Sequence, residues 1–220
     1  MNYSEFLSIA EQLSLGVANT VLVTLTCFVT GILVGLITVG LRRLALPGIG
    51  LFIDGFTFVF RGIPILVLVF LVYFGLPGVG FKVQPLLAMN LSLGLIAGAY
   101  LSEVFRGSLK SVDRAELRAA EAMGMSKVQI FFYIEFPQML RFSFTGIVNE
   151  FTSILKNSAF AYTIGISEIT RQALALTATT NLGVTIYIVV GFLYFAIYRI
   201  CLFFMKMAEK KFSISADSLV

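Results

Sequence analysis

The chain has 220 residues, 58% hydrophobic and 13% charged, with a net charge of only +4 and neither His nor Trp. Soluble domains run near 45–50% apolar and about 25% charged, so this composition, with a mean hydropathy of +0.95, excludes a soluble protein and describes an integral membrane one. Cys27 and Cys201 lie in apolar stretches, which assigns them to packing and not to a disulfide framework.

With about 20 apolar residues needed per crossing, the pattern predicts an all-α transmembrane domain over 1–220 with five spans. The start, Met1-Asn2-Tyr3-Ser4-Glu5, has no basic n-region, and the first apolar stretch exceeds a signal-peptide core, so no cleaved signal is expected. The first span covers about 15–41 and ends at Arg42-Arg43. Its Gly31 and Gly35 form a Gly-x-x-x-Gly, either a close helix approach or a coincidence in a glycine-rich chain. The second covers about 56–76, with Arg61-Gly62-Ile63-Pro64 inside or at its start, as a kink or as a broken helix of the kind transporters place near substrate. The third covers about 85–104, where Glu103 and Arg106, three apart, suit a mutual helix pair. The fourth runs from about 128 to 161 through Pro137, and the fifth from about 182 to 205.

Charge sets the orientation. Arg42, Arg43, Arg106, Lys110, Arg114, Arg118, Lys127, Lys206, Lys210 and Lys211 follow spans one, three and five, whereas only Lys82 and Arg171 follow spans two and four. Ten against two predicts an outside N-terminus and a cytoplasmic C-terminus. Glu168 and Arg171 then fall in an outer loop, where they could meet a docking partner but are expected to be solvated.

Residues 102–127 form a polar island between apolar segments. Asp113 followed by Glu116 is an Asp variant of the capping box. Arg114 to Met123 are strong helix formers, Gly124 suits a left-handed C′ position, and Ser126 can cap the next helix. The result is a short cytoplasmic helix at about 113–124, a glycine turn and a helix entering the bilayer. Its position between two spans argues against a DNA-reading helix-turn-helix and so against a nucleic-acid partner. Two uses remain on these grounds: a surface offered to a partner in the water, or a helix lying on anionic membrane lipid.

The wording of the island then resembles a known loop. Ala119-Ala120-Glu121-Ala122-Met123-Gly124, nine residues, and Ile134-Glu135-Phe136-Pro137 resemble the "EAA" loop of ABC importer permeases, in which Glu-Ala-Ala, three residues, Gly and nine residues precede Ile-x-Leu-Pro. Arg61-Gly62-Ile63-Pro64-Ile65-Leu66, the run from Gly98 to Gly107, Leu155-Lys156-Asn157-Ser158-Ala159, Pro137-Gln138 and Glu168 are similar to the polar amino acid branch of that superfamily. One position departs: Arg118 stands where the loop has its first Glu, and Glu116 where the branch usually has Gln, so the contact is expected to survive with its charge pairing rearranged.

The resemblance implies a type I importer subunit of the bacterial inner membrane. Its coupling helix would contact an ABC ATPase subunit dimer through Arg114, Glu116, Arg118, Ala119, Ala120, Glu121, Met123 and Gly124. It also implies a second permease subunit, identical or homologous, a periplasmic or lipid-anchored solute-binding protein, and an amino acid substrate. The chain has no Gly-Lys dipeptide and therefore no phosphate loop. No cofactor is expected in it; ATP and Mg would be held by the partner ATPase, and the chain itself would not be an enzyme.

Ionisable groups at membrane depth mark a pathway or a buried pair. On the fourth span Glu150, Ser153 and Asn157 share one helical face, overlapped by Asn149 and Lys156. Glu150 and Lys156 are six apart and poorly placed to pair. A zwitterionic amino acid needs an acceptor-rich and a donor-rich patch, and this stripe, with Arg61, supplies both; interhelical polar contacts and a snorkelling Lys156 are the alternative. An ion-coupled secondary transporter or channel fits the island less well, and a membrane enzyme lacks any His, metal-ligand cluster or nucleophile beside a base. A permease for another small organic solute, such as an osmolyte, shares the coupling loop but not the other motifs.

Overall fold

The computed structural model describes residues 3–44, 46–180 and 182–212, and every element in them is helical. In chain order these are α1 (Tyr3–Arg43), α2 (Ile49–Gly62), α3 (Ile65–Gly78), α4 (Pro85–Leu109), α5 (Arg114–Ala122), α6 (residues 127–142), α7 (Phe144–Asn157), a 3₁₀ turn (Ser158–Ile164), α8 (Ile169–Thr179) and α9 (Gly183–Phe212). The chain start, Met1-Asn2, lies outside them.

Three helices are long and apolar enough to cross a bilayer: Ile9–Arg43, Pro85–Leu109 and Gly183–Met207. They correspond to the expected first, third and fifth spans. The expected second span is differently built. Helix α2 ends at Gly62, Ile63 is extended (φ −91°, ψ 130°), and α3 leaves at 104° to α2. Pro64 causes this, because it has no N–H and disfavours helical conformation in the residue before it. Each leg has 14 residues, about 21 Å of helix at 1.5 Å per residue, short of an apolar core about 30 Å thick. The expected fourth span is also segmented, with the helix breaking at Ser143 between α6 and α7. Wide i→i+5 turns interrupt α3 at Leu71–Gly75, α4 at Asn90–Gly94 and α6 at Phe131–Glu135, a geometry often found at functional positions.

Helices α1 and α4 form the central pair, and the Gly-x-x-x-Gly is the reason they lie so close. A Cβ on Gly31 would stand 2.9 Å from Ala97 Cβ, and one on Gly35 would stand 2.9 Å from the Phe105 ring. From the other side a Cβ on Gly98 would meet Val34 at 2.6 Å. Small residues on both helices therefore permit the contact. Around this pair Val23, Cys27, Val69, Met89, Leu93 and Ile154 make one core, and Val39, Leu101, Phe105 and Met139 make another near the ends of α1 and α4. Leu15, Leu22, Val29, Leu33 and Ile37 on α1, with Val184, Phe192 and Phe203 on α9, stay exposed, as lipid-facing side chains do.

Of the two residues expected in a solvated outer loop, Arg171 is exposed and Glu168 is not. Glu168 is fully buried and caps α8, its carboxylate accepting from the N–H groups of Thr170 and Arg171 and from the Tyr194 hydroxyl of α9, each at 2.8 Å. Burial pushes the Glu168 carboxyl above its ordinary value, against the opposing pull of these donors. Gly16 lets α8 rest on α1, since a Cβ there would stand 2.9 Å from Ile169 Cα. Ile169 N–H also donates to Thr20 Oγ1 of α1. Arg171 donates to the Tyr162 carbonyl.

Candidate functional site

The short helix between α4 and α6 forms where the sequence places it. The Asp113 carboxylate accepts from the Ala115 N–H at 2.8 Å, and Gly124 adopts φ +82° to end the helix. Neither bond of the expected Asp113 capping box is made, because the Asp113 cap falls on the Ala115 N–H and not on that of Glu116. The Glu116 carboxylate instead accepts from the Gln138 side-chain amide of α6 at 2.7 Å. The next cap is the complete box: the Ser126 hydroxyl accepts from Gln129 N–H, and the Gln129 side chain from Ser126 N–H.

Helix α5 presents most of its surface outward. Arg114, Glu116, Arg118, Ala119, Glu121, Met123 and Gly124 are exposed, Met123 by 84%. Ala120 alone on α5 is buried, so its methyl holds α5 against its own chain. Arg114, Arg118 and Glu121 make no ion pair among the described residues. A cleft of about 560 Å³ lies between α5, the end of α1 and the start of α6, lined in part by Arg43, Glu121, Lys127 and Phe131. Beside it Arg43 of α1 pairs with the buried Glu135 in the wide turn of α6.

Helix α7 carries the polar stripe. Asn149 and Lys156 are exposed; Glu150, Ser153 and Asn157 are half-buried. The Asn157 amide donates to Ser153 Oγ at 3.3 Å, along the shared face. Among the described residues neither Glu150 nor Lys156 has an ion-pair partner. Arg61 ends α2 at the break, with its guanidinium 5.0 Å from the centre of the Tyr100 ring of α4, a cation–π contact. Glu103 and Arg106 pair along α4, Arg106 Nε donating at 3.0 Å.

Sequence reading did not find the Arg43–Glu135 and Glu116–Gln138 contacts, nor Tyr100 as the seat of Arg61. It also passed over Asn90, whose Oδ1 is buried without a hydrogen-bond partner in the wide turn of α4. A lone Asn or Glu inside an apolar run was the available signal for Asn90 and Glu135.

The chain as a whole resembles known proteins over most of its length. Residues 31–214 match the family described as "Binding-protein-dependent transport system inner membrane component". The chain belongs to that family. It is 30% identical over 210 residues to the histidine/lysine/arginine/ornithine transport system permease protein HisQ of Escherichia coli K12, covering 90% of this chain and 92% of that one. It is 32% identical over 159 residues to the arginine transport system permease protein ArtQ of Bacillus subtilis 168, covering 72% and 73%. The solved structure of an amino acid ABC transporter with histidines superposes with a TM-score of 0.86 at 26% identity, over 96% of this chain and 99% of that one. A chain of the inward-facing MetNI methionine ABC transporter shares the fold, with a TM-score of 0.72 at 16% identity.

Proposed function

We propose that this chain is a permease subunit of an ABC importer for polar amino acids, forming half of the translocation pathway and receiving its energy from a separate ATPase. The observation that carries the reading is α5, a capped helix with one buried residue and a row of exposed charges, set between transmembrane helices. A soluble partner that moved this helix would move α6 through Gln138, and α7 beyond the Ser143 break. The family and the amino acid permeases among its relatives support the direction and the substrate class.

The membrane arrangement proposed is five crossings with the N-terminus outside. The bent α2–α3 pair makes the second crossing, and α6–α7 with the following 3₁₀ turn makes the fourth. The excess of Lys and Arg after α1, α4 and α9 supports this. ATP and Mg belong to the ATPase dimer. A second permease chain completes the pathway, and a periplasmic or lipid-anchored binding protein delivers substrate to it. Glu150, Ser153 and Asn157, with Asn149 and Lys156 at the margins, line the path, Glu150 accepting from the ammonium group. Arg61 acts at the break between α2 and α3.

Recovery of the chain from its native membrane, with identification of co-purifying proteins and ATPase assays in liposomes, tests this. An ATPase and a solute-binding protein should co-purify, with hydrolysis stimulated by one amino acid. A chain that purifies without an ATPase would reduce α5 to an interfacial helix and contradict the proposal.

A further inference from the structure

The ends of α1 and α4 flank an open cavity of about 260 Å³ lined, among the described residues, by Val39, Arg42, Arg43, Arg106, Leu109 and Lys110. Four are cations, and among the described residues no carboxylate lines it. The acids that balance these arginines lie outside its lining. Asp54 of α2 pairs with Arg42, Glu135 of α6 with Arg43, and Glu103, one turn earlier on α4, with Arg106. Each pair fixes one edge of a guanidinium, which has five donors, and leaves other N–H groups for a ligand. Arg42 Nε is buried and has no hydrogen-bond partner among the described residues. Lys110 is exposed and unpaired among them.

We propose that this cavity binds a phosphate group, that of an anionic phospholipid headgroup. Planar guanidinium groups fit phosphate oxygens. The lining combines those donors with Val39 and Leu109, as the end of a transmembrane helix pair at the headgroup level would. Basic pockets between membrane helices hold anionic headgroups by this chemistry. The ligand would bridge α1 to α4 at the point where α4 leads into α5, so lipid composition would bear on how firmly that end of the bundle is held. The proposal rests on the membrane setting alone and stands whichever solute is carried.

The test is native mass spectrometry of the full-length chain released from nanodiscs of phosphatidylcholine mixed with phosphatidylglycerol. Phosphatidylglycerol should be retained in preference to phosphatidylcholine. Lys110→Gln, a change at an exposed side chain, should lower that retention about five-fold, the effect of one cation at an anionic headgroup. Inorganic phosphate in excess should leave the retained lipid in place. Displacement by inorganic phosphate would support the phosphate site and make its source soluble. Equal retention of the two lipids would overturn the proposal, as would a preference that Lys110→Gln leaves unchanged.

Discussion

Gln138 of α6 donates its side-chain amide to the Glu116 carboxylate of α5 across 2.7 Å, so the exposed helix is tied to the next long helix, 22 positions later. An exposed hydrogen bond of this kind contributes about 0.5–1.5 kcal/mol, too little to define the fold but enough to fix how α5 sits on α6. Gln138→Leu should leave expression and assembly intact while reducing the solute transported per ATP hydrolysed. Unchanged stoichiometry in proteoliposomes would contradict a transmitting role.

The Arg43–Glu135 pair predicts an asymmetry. The Glu135 side chain is 6% exposed and that of Arg43 44%, so removing the cation strands a buried carboxylate, whereas removing the carboxylate leaves a cation that reaches water. Arg43→Gln should therefore destabilise more than Glu135→Gln, by roughly 1–3 kcal/mol, the cost of an unsatisfied buried group. Thermal unfolding of the two variants in one detergent would show it, and the reverse order would contradict it.

Glu168 predicts a pH dependence. Its folded value is raised above the ordinary 4.5, so the contribution of this group to stability is fully present below that value and is lost as pH rises through the folded one. Glu168→Gln, which cannot ionise, should compare worst with the parent near pH 4 and improve relative to it above the folded value. A difference in melting temperature that stays constant with pH would contradict this.

The α1–α4 contact leaves no room for side chains at its glycines. Gly98→Leu places its Cβ where Val34 lies at 2.6 Å, an overpacking that costs typically 1–3 kcal/mol. The variant should lose the monodisperse peak in size-exclusion chromatography, while Gly191→Leu, at a position with open space around its Cα, should keep it.

How far the sequence could be read follows from the range of the interactions. The Asp113 cap, the Gly124 stop, the Ser126 cap and the Glu103–Arg106 pair are each set within four residues, and each is visible as spacing. The Gly31/Gly35 face was legible as a motif, while its partner helix was not. Pro64 announced a break, but 104° depends on what α2 and α3 pack against. Glu168 looked solvated because its charge was visible, whereas Tyr194, which bonds it, is 26 positions away, and Thr20, which bonds the adjacent Ile169, is 149 positions from that residue. Arg43 and Glu135 are 92 apart, and no local pattern joins them. On α7 the shared face was legible from helical period alone. That Glu150 and Lys156 have no ion-pair partner among the described residues follows from the packing of other helices.

Glu150 carries the expectation for the path. Glu150→Gln should change substrate affinity or selectivity with assembly intact, and unaltered transport of every amino acid tested would remove it from the path.

The central claim is that α5 receives the energy of a partner ATPase. Its direct measurement is transport together with ATP hydrolysis in proteoliposomes for the combined variant Arg114→Glu, Arg118→Glu, Glu121→Lys. All three side chains are exposed, and none forms an ion pair among the described residues, so the fold should survive the reversal. Hydrolysis that no longer drives transport, or an ATPase that no longer binds, is the predicted result; normally coupled transport would contradict the account.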